Sequence, residues 1–91
     1  MQLGKKLLRS LEEKADLPLS FAAGLPRVEL EGLDTLRIEQ HRGLAAYGPE
    51  LVVVRCSGVN LQVRGSGISL EAMTVRELKL RGRILALELV Y

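Results

Sequence analysis

Ninety-one residues are enough for one domain, and a chain of this length buries roughly 60 to 65% of its unfolded surface, which leaves no material for a second core. The composition is 47% apolar but strongly aliphatic, because the aromatic residues are confined to Phe21, Tyr47 and Tyr91. Thirteen basic against eleven acidic residues leave a formal charge of +2, and no basic run is interleaved with aromatics, so no nucleic-acid partner is expected.

The first element in chain order is helical. Leu3, Leu7, Leu8 and Leu11, continuing to Ala15, recur at helical spacing, which predicts an amphipathic helix over residues 3 to 15 that Pro18 cannot continue. Lys5, Lys6 and Arg9 precede Glu12 and Glu13, the reverse of the order the helix dipole favours. Two readings account for the helix: its leucines dock on the rest of the domain, or its cations, Lys5, Lys6 and Arg9, contact an anionic membrane or acidic partner. The charged residues from Arg9 onward also interrupt any signal-peptide core, so export through a cleaved leader is not expected. Residues 17 to 26, bounded by Pro18 and Pro26, read as an apolar extended connector.

From Arg27 the period changes to two. Val28 and Leu30, Leu36 and Ile38, Leu61 and Val63, Ile68 and Leu70, Leu78 and Leu80, and Leu85, Leu87 and Leu89 alternate with mostly polar neighbours, as in strands that bury one face. A weak repeat overlies this pattern. Gly32, Gly48, Gly65 and Gly82, spaced 16, 17 and 17 residues apart, each follow one apolar pair and precede another. Each unit reads as strand, glycine turn, strand, with glycine supplying the positive φ of a tight reversal. The reading is therefore mainly β: a small curled antiparallel sheet of short hairpins over residues 27 to 91, following the N-terminal helix and connector of residues 1 to 26. The alternative is a short β-solenoid of about 17-residue repeats. Stacking such repeats would bring Arg64 against Arg81 and Glu71 against Glu88, which favours the hairpin sheet.

Chemistry is sparse along the chain. His41, the sole histidine, lies in Glu39-Gln40-His41-Arg42-Gly43, which reads as a polar hairpin loop with the ring solvated or bonded to the turn. Cys56, the sole cysteine, follows Val52, Val53 and Val54 and reads as a small buried thiol with no activating neighbour. Gly65-Ser66-Gly67 lies between strand patterns with no helix after it, unlike a phosphate-cradling loop. No catalytic set, metal-ligand set or cofactor motif emerges, and the expectation is a protein that is not an enzyme. Arg76, Lys79, Arg81 and Arg83 make the last third locally basic, read first as the solvent face of strands.

Three segments resemble the YqfC branch of the YabP/YqfC sporulation proteins. They are Leu25-Pro26-Arg27-Val28-Glu29-Leu30-Glu31-Gly32, Leu36 through His41-Arg42-Gly43-Leu44, and Tyr47-Gly48-Pro49-Glu50-Leu51. The similarity continues through Leu61-Gln62-Val63-Arg64-Gly65 and Leu78 to Ile84, over about three quarters of the chain. The resemblance implies a small non-enzymatic protein of the mother-cell cytoplasm of an endospore-forming bacterium, acting with other sporulation proteins at or near the forespore membrane. It brings no catalytic residues. It makes Arg27, His41, Arg42 and Tyr47 candidates for partner contact, with an adaptor as the leading function and a self-assembling layer or filament, a homo-oligomer joined through sheet edges, as the alternative.

Overall fold

A computed structural model describes residues 24–91, and within them the chain is all strand and turn. The strands are β1 (Arg27–Glu31), β2 (Thr35–Glu39), β3 (His41–Tyr47), β4 (Leu51–Cys56), β5 (Val59–Met73) and β6 (Glu77–Val90). They form one antiparallel sheet in the order β1-β2-β6-β5-β4-β3, not closed into a barrel. The predicted helix over 3 to 15, with Lys5, Lys6 and Arg9, lies outside the described residues. The sheet agrees with the antiparallel expectation, and the solenoid alternative is set aside because every strand pair runs antiparallel.

The long hairpin of β5 and β6 organises everything else. β4 pairs with residues 59 to 64 of β5, while β2 pairs with residues 77 to 81 of β6, so the outer strands attach to opposite halves of the hairpin. Between the halves the β5–β6 register shifts twice, at Arg64/Gly65 and at Ser66/Ser69, and the hairpin bends there. One half folds over the other. Leu36, Ile38, Leu78 and Leu80 from one half and Val52, Val54, Leu61 and Val63 from the other form a single buried cluster, joined by Ile68 at the bend. Burying such aliphatic side chains contributes about 1.5 to 3 kcal/mol each, which makes this shared interior the main source of stability.

Two of the four repeat glycines are not turns. Gly32 and Gly48 lie in the β1–β2 and β3–β4 connections as expected, but Gly65 and Gly82 lie inside β5 and β6. A Cβ on Gly65 would sit 2.0 Å from the Arg83 carbonyl oxygen, and one on Gly82 would sit 2.7 Å from the Gly67 carbonyl oxygen. Glycine is needed here because the two backbones approach too closely for a side chain at the bend. The Gly65-Ser66-Gly67 segment is accordingly part of β5, and the last four expected short strands merge into two long ones.

The step from β2 to β3 crosses between the halves through one residue, Gln40, at φ 65°. Its amide donates to the Arg76 carbonyl at 2.7 Å, fixing the crossing against the β5–β6 turn. On the outer face of the first half, the Arg37 guanidinium lies 3.0 Å from Glu31, 3.1 Å from Glu77 and 3.8 Å from Glu29. Its Nε approaches Glu77 without the alignment of a hydrogen bond. The basic residues of β6 alternate with buried Leu78 and Leu80, and Arg81 lies within 4.0 Å of Asp34 and 3.6 Å of Glu71.

Candidate functional site

His41 does not lie in a loop. It opens β3, is only 7% exposed, and stands directly across from Cys56 on β4. The expected polar hairpin shrinks to Gln40 because the chain passes from β2 straight into β3 in the opposite layer, carrying the histidine into the end of the core. Its Nδ1 accepts the Gly43 amide at 3.0 Å, so Nε2 carries the proton and donates to the Thr74 carbonyl at 2.8 Å. Thr74 in turn braces the β5–β6 turn, its hydroxyl accepting the Glu77 amide at 2.9 Å.

The meeting of the sole histidine with the sole cysteine invites a nucleophile reading, and the geometry argues against it. Both ring nitrogens are engaged by backbone groups. Burial pushes the Cys56 thiol up from its ordinary value, whereas a nucleophilic cysteine needs its thiol brought down. Among the described residues, no three of His, Cys, Asp or Glu gather as metal ligands would.

The other candidates separate along β3. Arg27 opens β1 opposite Glu39, two residues before His41, and its guanidinium is 2.7 Å from Glu29. Arg42 is exposed beside His41, so Arg27 and Arg42 belong to the end of the molecule where β2 crosses into β3. Tyr47 lies at the opposite end of that strand. Its ring is half exposed, and its hydroxyl accepts the Leu70 amide at 2.9 Å. With the Ile68 amide on the Pro49 carbonyl and the Gly65 amide on the Glu50 carbonyl, this bond ties the β3 side of one layer to β5 in the other.

Among the described residues, that seam leaves the opposite flank open, between β1 and residues 84 to 90 of β6. The edges are unequally guarded. β1 is five residues long and carries Arg27, Glu29 and Glu31, β3 is broken by two register shifts, and the second half of β5 lies against Tyr47. Residues 84 to 90 pair with β5 on one side and, among the described residues, meet no strand on the other. Their sequence, Ile84-Leu85-Ala86-Leu87-Glu88-Leu89-Val90, has no lysine, arginine or proline, the usual devices that keep an edge from accepting another strand. On its paired side, Glu50, Leu51, Arg64, Gly65 and Leu85 line a shallow open depression that runs from β6 across β5 to β4. Alternation alone marked Leu85, Leu87 and Leu89 for burial, yet all three are exposed. The lack of lysine, arginine and proline, with Glu88 the sole charge from 84 to 90, was the one signal in the sequence for this edge.

No known protein family, no curated protein and no solved structure matches this chain.

Proposed function

We propose that the protein is a non-enzymatic interaction module that binds an extended segment of a partner by strand addition along residues 84 to 90. The single observation that carries this reading is the edge of β6: a stretch regular from Ala86 to Val90 whose outward backbone groups meet no strand among the described residues. Strand addition takes its affinity from main-chain hydrogen bonds, which this edge offers. The sporulation setting rests on the residue pattern from Leu25 to Leu51 and from Leu61 to Ile84. On that basis the partner is another sporulation protein, met in the mother cell at or near the forespore membrane. Lys5, Lys6 and Arg9 would add attachment to an anionic surface, and Arg27, Arg42 and the Tyr47 ring remain further contact candidates.

The symmetry of the same edge favours one second reading, self-association. Two copies paired antiparallel about Leu87 would set Leu85 opposite Leu89, Ile84 opposite Val90 and Ala86 opposite Glu88, with no like charges facing each other. Sedimentation at rising concentration separates the readings, since an adaptor stays monomeric.

The test of the leading reading is Ala86→Glu. Ala86 is exposed opposite Arg64, so a glutamate is accommodated on the fold while charging the edge. Affinity capture from sporulating mother cells, with membranes solubilised, should recover a partner with the wild-type protein and lose it with the variant, and spore yield should fall. Equal recovery and equal yield would reject strand addition at β6.

A further inference from the structure

The open flank has a second property besides the β6 backbone edge, and an element that covers it would have to move aside before a partner strand adds there. Leu87 and Leu89 pair directly with buried Val63 and Leu61, and Leu30 pairs with buried Leu36, so all three project towards the interior. Yet Leu30 is 53% exposed, Leu87 44% and Leu89 52%. Core-facing leucines on the rims of both layers lack the cover that the same alternation secures a few residues away. An apolar opening of this kind, in a sheet folded over on itself, needs another element across it.

We propose that residues 3 to 15 form a helix whose leucine face docks in cis on this flank, against Leu30, Leu87 and Leu89. The position of the chain favours this occupant: residues 24 to 26 lead straight into β1, one of the two strands that border the opening. Lengths agree. A helix of 13 residues is about 20 Å long, and residues 84 to 90 extend about 23 Å. The intervening residues 16 to 23 reach up to roughly 27 Å, enough to turn the helix back along the flank. At about 100° per residue, Leu3, Leu7, Leu8 and Leu11 fall within one arc, while Lys5 and Arg9 point to the other side. Docking therefore buries no cation, and it leaves that basic face directed outward. A short tether also gives the segment an effective concentration in the millimolar range, which a second copy does not match. An anionic lipid surface fits the flank poorly, because Glu29 and Glu31 on β1 and Glu88 on β6 border it.

The test uses the full chain in a Cys56→Ser background carrying Leu8→Cys with Leu87→Cys, oxidised mildly at several protein concentrations. The expected product is a monomer with an internal disulfide whose yield does not change on dilution, while Arg9→Cys with Leu87→Cys, from the opposite helix face, crosslinks poorly. Crosslinks between chains, no crosslink, or equal yield from the Arg9 pair would overturn the proposal. A cysteine-independent measurement guards against misfolding of these variants. Leu7→Lys with Leu11→Lys should lower the urea midpoint of the otherwise wild-type chain, whereas Lys5→Ala with Arg9→Ala should leave it in place; an unchanged midpoint for the leucine pair would also overturn it.

Discussion

Replacing Gly65 by alanine adds one methyl group and tests the bend directly. The new Cβ would stand 2.0 Å from the Arg83 carbonyl oxygen and 3.0 Å from Ile68 Cδ1. Ordinary contact begins at 3.4 Å, so β5 and β6 would have to part by 1.4 Å at this point. A ladder hydrogen bond of about 2.9 Å does not survive that separation. Each buried backbone group left without a partner costs about 1 to 3 kcal/mol, so two such losses put the penalty at about 3 kcal/mol or more. Against a total stability of about 5 to 15 kcal/mol, this is a large fraction. Gly58→Ala supplies the comparison: φ is +76° and nothing lies within 4 Å of the added Cβ, so it should cost about 1 kcal/mol through backbone strain alone. Equilibrium urea unfolding followed by circular dichroism measures both. If Gly65→Ala costs no more than Gly58→Ala, the close approach of the two backbones, and with it the folded-over hairpin, is wrong.

Other outcomes follow from the same geometry. Leu80→Asp or Val63→Asp puts an unpaired carboxylate at a fully buried position and should abolish cooperative unfolding in circular dichroism, since the cost is several kcal/mol. His41→Ala should destabilise by about 2 kcal/mol in urea, because it strands the Gly43 amide and the Thr74 carbonyl, while exposed Arg42→Ala should leave the midpoint unchanged. Cys56 should react with a thiol reagent far more slowly in the native protein than in urea, with the native rate rising only above the pH range of an ordinary thiol. The folded chain holds that proton more tightly than the unfolded one. The neutral thiol's contribution to stability is therefore fully present below the ordinary thiol pKa and is lost as pH rises towards the folded value. Arg37→Ala leaves Glu29, Glu31 and Glu77 without their shared cation and should lower stability by about 1 kcal/mol, a loss that shrinks in high salt.

Much of the strand content was legible because period-two alternation is a local property. Leu36 with Ile38, Leu61 with Val63 and Leu78 with Leu80 are buried as their spacing implies. What stood across from each residue was not legible. Gly65 and Gly82 follow the same apolar-x-apolar-x-Gly pattern as the turn glycines Gly32 and Gly48, and they differ from Gly32 through the backbone that passes over them. The polar neighbours of His41 suggested a solvated loop, whereas the crossing at Gln40 brings the ring to a buried position between β4 and the β5–β6 turn. Alternation says which way Leu87 and Leu89 point; it cannot say how far the opposing layer extends. The pairing of β2 with β6, across about forty residues of chain, set that limit.

Amide hydrogen exchange along β6, resolved residue by residue in the full chain, addresses most directly the claim that this strand keeps an unpaired edge. Residues 78 to 81, held between β2 and β5, should be protected at every position, and residues 86 to 90 should alternate between slow and fast exchange, because half of their amides face no strand among the described residues. Uniform protection from 78 through 90 would mean that the edge is already paired in the isolated protein and would contradict its assignment as the binding site.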